Sequence, residues 1–196
     1  AAADEVVLIA NQSDLVALTT TTNPADMAKN YRLTADIDVS DIWFNTPIGA
    51  NAGGVFTGTF DGNGYAIVGI AGGAEGNDYG LFKEIGVGGI VKNLEIQIRE
   101  GRNLCANRMG AVASVNKGTI SNIVVSGEIW CTVNNAGGIA WDNHGVIENV
   151  VMLAKINHDY TAANALGAIV WYQQETAVIR NCFVDSTTTG LTSLTR

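Results

Sequence analysis

Three aspartates stand close together in Thr34-Ala35-Asp36-Ile37-Asp38-Val39-Ser40-Asp41. Oxygen donors at that spacing could ligate calcium or act as an acid–base set on a polysaccharide. Asp36 and Asp38 flank Ile37, so on a strand they share one side, which is also the pattern of a plain solvated face. The two histidines, His144 and His158, sit in neither a His-Glu-x-x-His nor a Cys/His metal spacing and read as surface or turn residues. There is no Gly-x-Ser-x-Gly elbow and no phosphate loop. The expectation is a chain with no catalytic residues, no metal beyond the weak calcium candidates Asp36 and Asp38, and no cofactor.

The aromatic residues offer recognition chemistry. Trp141 and Trp171 each follow a glycine, Gly137 and Gly167, at the same distance, and Tyr172 comes next. Tryptophans in register could form a sugar platform, a protein-contact strip or core filling, and the pattern leaves all three open. The three cysteines are an odd count. Cys105 and Cys131 lie about one repeat apart, and either pair across adjacent coils or stay free, as geometry decides. Cys182 takes a position that is aliphatic elsewhere, so it is expected as a buried thiol.

What positions these residues is a repeated phrase. It reads Gly89-Ile90-Val91-Lys92-Asn93-Leu94, Gly118-Thr119-Ile120-Ser121-Asn122-Ile123 and Gly145-Val146-Ile147-Glu148-Asn149-Val150, with a worn copy in Ala177-Val178-Ile179-Arg180-Asn181-Cys182. The asparagines fall 29, 27 and 32 residues apart. A second phrase precedes each: Gly80-Leu81-Phe82, Gly110-Ala111-Val112-Ala113, Gly137-Gly138-Ile139-Ala140 and Gly167-Ala168-Ile169-Val170. Such a period marks a stacked repeat architecture. The runs between glycines are β-formers without helical period, so each repeat is short strands and turns.

Position by position, the repeat predicts its own shape. Two residues before each asparagine, and one and three after it, the chain is apolar in every copy apart from the cysteine at 182. On a flat strand the positions at −2 and +1 would face opposite sides, so the chain must bend at the asparagine to bury both, as at a β-helix corner. Asparagine tolerates left-handed backbone, and its amide both donates and accepts, so Asn93, Asn122, Asn149 and Asn181 are expected to stack as a structural ladder. Two residues past the asparagine, Glu95 gives way to Val124, Val151 and Phe183. With their neighbours turned inward these three point out, predicting an apolar interface stripe. The repeats supply no recurring row of carboxylates, so no catalytic groove is expected to build up from coil to coil.

The phrases Gly110-Ala-Val-Ala-Ser-Val-Asn-Lys-Gly-Thr-Ile-Ser-Asn122 and Gly137-Gly-Ile-Ala-Trp-Asp-Asn-His-Gly-Val-Ile-Glu-Asn149 resemble the GLUG motif. That motif recurs in bacterial surface and secreted proteins, including the non-catalytic region of IgA-specific metallopeptidases and haemagglutinin-like adhesins. Tyr31 to Asp38, Pro47-Ile-Gly49 and Phe56 to Gly64 also resemble the segment that commonly precedes it, so the likeness covers roughly residues 31 to 185. It implies a right-handed parallel β-helix displayed outside the cell, and carries over no catalytic residues. The last copy departs from the pattern, with Gln173-Gln174-Glu175-Thr176 in place of Asn-x-Gly, and predicts an irregular final coil.

The remaining bounds agree. At 196 residues the chain can bury a sizeable core. A net charge of −8 disfavours nucleic acid and anionic membranes, and no apolar run is long enough to span a bilayer. The reading is an all-β parallel β-helix: residues 1–30 a capping strand, short helix and loop, with Ser13 as helix cap; 31–185 the β-helix, repeating from about 80; 186–196 a polar tail. Asn11-Gln12-Ser13 is a formal glycosylation sequon. Functionally it is expected as a non-catalytic structural or adhesive module outside the cell, on a cell surface, in a secreted assembly or on a virion. Its partners would be other copies of itself, other surface domains or glycans, through a lateral face or an open last coil. The alternative is a glycan-binding or glycan-cleaving β-helix, which requires Trp141, Trp171 and the aspartates to share one groove.

Overall fold

Between its glycine turns the chain forms short strands that stack in parallel, coil upon coil, as a β-solenoid. The computed structural model describes residues 5–72, 78–101, 108–131, 136–158, 166–185 and 187. The first coil is β1 (Val6–Ile9), followed by α1 (Gln12–Thr20) and a 3-10 turn (Pro24–Ala28). Next come β2 (Asn30–Leu33) and β3 (Ile37–Asp38), then β4 (Val55–Phe56), β5 (Thr59–Asp61) and β6 (Ala66–Ile70). Four repeating coils follow: β7 (Asp78–Tyr79), β8 (Phe82–Ile85) and β9 (Ile90–Ile98); β10 (Arg108–Met109), β11 (Ala113–Asn116) and β12 (Thr119–Cys131); β13 (Ala136–Gly137), β14 (Ala140–Asn143), β15 (Val146–Met152) and β16 (Lys155–His158); β17 (Leu166–Gly167), β18 (Val170–Gln173), β19 (Val178–Arg180) and β20 (Phe183–Val184).

Three parallel sheets run along the solenoid. The longest follows β1-β2-β5-β9-β12-β15-β19, the second β4-β8-β11-β14-β18 and the third β7-β10-β13-β17. Parallel pairing in register puts equivalent residues directly above one another: Val91 pairs with Ile120, and Ile120 with Ile147. Their side chains are fully buried, as are Ile123 and Val150 one residue past the corner. The core is therefore a set of aliphatic columns, and each coil buries its apolar edge on the next.

The repeated glycines are close-approach residues. A Cβ at Gly118 would lie 2.2 Å from the Gly89 carbonyl oxygen, and one at Gly145 would lie 2.1 Å from that of Gly118. Only glycine lets the backbones stack there. Ala177 stands in this column in the last coil, where a longer turn precedes it.

At the N-terminal end β1 is itself the first rung, pairing with β2, and α1 sends Leu15 and Leu18 into the core beneath it. The helix cap is Asn11 rather than Ser13: the Asn11 side chain accepts from the Asp14 backbone N–H at 3.1 Å. Residues 30–38 form two strands, β2 and β3, with a break between them, yet the alternation runs through it, with Leu33, Ile37 and Val39 buried and Asp36 and Asp38 exposed. At the other end, Ile179, Cys182 and Val184 hold the inward positions of the last coil and are only half-buried.

Candidate functional site

The corner is built by five asparagines. Asn63, Asn93, Asn122, Asn149 and Asn181 all have φ between 52° and 54°, a left-handed conformation that bends the chain inward on both sides. Their amides connect successive coils: Asn149 donates to Asn122 at 3.2 Å, Asn122 to Asn93 at 3.0 Å, and Asn93 to the Asp61 carboxylate at 3.0 Å. The row runs along the surface, since Asn122 and Asn149 are exposed, but its amides are engaged with one another. Asp61 is its anchor. Burial opposes its charge, but the Asn93 amide, the Asn63 backbone N–H and the cations of Lys92 and Arg32 together hold its carboxyl below the ordinary range.

A second ladder, which the sequence reading missed, lies inside. Asn116 and Asn143 are fully buried; Asn116 donates to Asn143 at 2.7 Å, and Asn143 to the Gln173 side-chain carbonyl at 2.9 Å. The signal was present, because both asparagines stand two residues before a repeat glycine. Gln173, which spoils the motif on paper, extends the ladder with its longer side chain, and β18 keeps register with β14.

The outer face of the longest sheet carries the residues expected as an interface. Val124 pairs with Val151 and Val151 with Phe183, so the three form one column, the first two half-buried and Phe183 58% exposed. Across the asparagine corner from it runs Arg32-Asp61-Lys92-Ser121-Glu148-Arg180, and beyond that Ile90-Thr119-Val146-Val178. Arg180 clamps the Glu148 carboxylate with two nitrogens at 2.6 and 2.7 Å. Toward the C-terminal end the corner asparagines thus separate an apolar column on one side from an ion pair beside a second apolar column on the other.

Trp141 and Trp171 stack on the second sheet, their rings parallel within 4° and 5.3 Å apart. From the coil below, the Arg108 guanidinium rests over Trp141 at 5.3 Å while pairing with Asp78 at 2.5 Å. Trp141 therefore has a cation on one side and an indole on the other, and its faces are occupied by the protein. Tyr172 lies against Trp171 and is 47% exposed.

The aspartates are elsewhere. Asp36 accepts from the Ala66 backbone N–H and Asp38 from that of Ser40, both at 2.8 Å, while Asp41 accepts from the Gln12 amide. The hydrogen bonds from Ser40 hold the Asp38 carboxyl below its usual range. These residues belong to the longest sheet and its turns and the tryptophans to the second, so the two sets do not line one groove. His144 is exposed and bonds Asp142 at 2.8 Å. Among the described residues no group of three or more His, Cys, Asp or Glu side chains converges as a metal site. Cys182 is half-buried, its thiol pushed up by burial. Cys105 lies outside the described residues, as do the side chains of Cys131 and His158, which close β12 and β16 with their backbones.

No family model matches the chain. Over 115 residues it is 33% identical to halomucin of Haloquadratum walsbyi (strain DSM 16790 / HBSQ001), a stretch covering 55% of this chain and 1% of halomucin. The chain thus spans about a hundredth of that relative's length. Among solved structures, a candidate immunoglobulin A1 protease from Bacteroides ovatus aligns over 94% of this chain and 79% of its own, with a TM-score of 0.46 and 15% identity.

Proposed function

We propose that this chain is a non-catalytic structural or adhesive module of a cell-surface or secreted assembly, a stiff solenoid that associates with a second copy through the outer face of its longest sheet. The observation that carries this is the in-register column Val124-Val151-Phe183, ending in a largely exposed phenylalanine. The face suits a copy of itself. A second copy turned about an axis parallel to the segment that follows the corner, passing between Val151 and Phe183, sets Val151 opposite its Phe183 and Phe183 opposite its Val151. Such an isologous contact is closed and self-complementary. The GLUG-like phrases and the similarity to a protein named as a mucin support placement outside the cell.

The test is mass by light scattering over a concentration series. Mass is expected to rise from monomer to dimer, and Phe183→Asp, which puts a charge at the exposed end of the apolar column, should hold the chain monomeric with its melting temperature little changed. A monodisperse monomer at every concentration overturns self-association through this face.

A further inference from the structure

On the side of the second sheet, the segment from Ile42 to Gly54 folds back against the coil above and is pinned there. Phe44 donates its N–H to the Ala71 carbonyl at 2.6 Å and accepts from the Tyr79 hydroxyl. Ile48 donates to Leu81 at 2.8 Å and accepts from the Lys83 N–H at 3.0 Å, and Gly54 closes the turn onto Gly49 at 2.7 Å. Phe44, Ile48 and Ala52 are buried beneath it. A loop so held presents its outer side chains from a fixed backbone.

Those side chains wall a cleft of about 400 Å³, lined by Asn45, Thr46, Pro47, Ala50, Asn51, Asp78, Lys83 and Arg108. Its walls are mainly amides, a hydroxyl and charged groups. Two cations face one carboxylate there, on a chain whose net charge is −8. Arg108 is committed, with Nε toward Asp78 and its guanidinium over Trp141. Lys83, half-buried on β8 in the column that continues through Ser114 to Trp141, supplies the second positive charge.

We infer that this cleft binds an acidic saccharide, a pyranose unit bearing a carboxylate. The Lys83 ammonium would pair with the carboxylate, while Asn45, Thr46, Asn51 and Asp78 exchange hydrogen bonds with ring hydroxyls. A cleft of this volume holds one or two sugar rings, and polar groups carried on a pinned backbone lower the ordering cost of binding. A phosphate dianion fits less well, since the Arg108 fork is already engaged and only one ammonium remains. This inference does not depend on self-association, which occupies the longest sheet and not this side.

The test is a titration of the ¹⁵N-labelled chain with trigalacturonate, with the neutral galactose trisaccharide, acetate and inorganic phosphate as controls. Trigalacturonate should shift the side-chain amides of Asn45 and Asn51 and the backbone between them. The neutral trisaccharide should bind about tenfold more weakly, in line with loss of one charge-assisted contact. Lys83→Met should weaken trigalacturonate about tenfold, and Asn51→Ala, on the exposed turn, about threefold, at unchanged melting temperature. Equal binding of the neutral trisaccharide, equal shifts with acetate or phosphate, shifts confined to other residues, or full affinity in both variants would each overturn the assignment.

Discussion

The first three coils and the four that follow solve the same packing problem differently. Below Gly72 no two coils share a sequence, and the core is closed by large rings and by loops of unequal length. Phe82, a core side chain at the start of the repeating part, packs against Phe56 at 5.0 Å and Phe60 at 5.5 Å, with Tyr31 a further 6.3 Å from Phe56. Above Phe82 the core is aliphatic and the coils are near-copies. Repetition from coil to coil is what permits ladders, because a row in which every member both donates and accepts needs an amide above each amide. The Asn116-Asn143-Gln173 and Asn93-Asn122-Asn149 rows exist only in the repeated part. Where the corner row reaches the irregular coils it ends on a carboxylate, Asp61, which accepts but cannot pass the chain of donors on.

If the junction depends on ring packing, its largest weakness is Phe82. Phe82→Ala removes the ring that meets both lower phenylalanines and should cost about 3–5 kcal/mol, measured as a drop in urea-unfolding free energy. A loss below about 1 kcal/mol would mean that the two regions are not coupled through this ring.

In the repeated part, the internal amide row should matter more than the corner row. Asn143→Ala strands a buried donor on Asn116, at about 1–3 kcal/mol, and leaves a half-buried acceptor on Gln173 at a smaller cost. Asn122→Ala exposes its neighbours to water instead, and its cost should be the left-handed backbone, about 1–2 kcal/mol, most of it recovered in Asn122→Gly. Equal losses for Asn143→Ala and Asn122→Ala, or no recovery with glycine, would remove the distinction between buried and exposed ladders.

Legibility followed the same division. From residue 80 onward the period, the inward positions and the left-handed corner could all be read, since each rests on the same residue type recurring at one place. The outward column Val124-Val151-Phe183 was legible because its neighbours at +1 and +3 were apolar. The flanking Val146 and Val178 were equally visible and went unread. Burial depth was not legible: Cys182 repeats a core position, but burial there depends on a coil above it. Facing was not legible for Trp141 and Trp171 either, because Trp141 is held between Trp171 and Arg108, which belong to different coils. The cleft over Lys83 could not be read at all, since it comes from a loop that does not repeat.

The smallest effect expected is at the foot of the corner row, and it is set by pH. The Asp61 carboxyl titrates below its ordinary value in the folded chain, because the Asn93 amide, the Asn63 N–H, Lys92 and Arg32 outweigh the burial that opposes its charge. A lowered folded value means that its contribution is complete above the unfolded carboxyl value, near 3.9, and is lost as pH falls toward the folded value. Unfolding free energy should therefore decline on acidification below about pH 4, and Asp61→Asn should decline less steeply there while differing little in slope between pH 5 and 8. The asparagine keeps an acceptor for Asn93 but gives up both cations, so the variant separates the ladder from the ion pairs. If the two proteins lose stability in parallel through the acid range, Asp61 is not the group that ties the repeated coils to the irregular ones below.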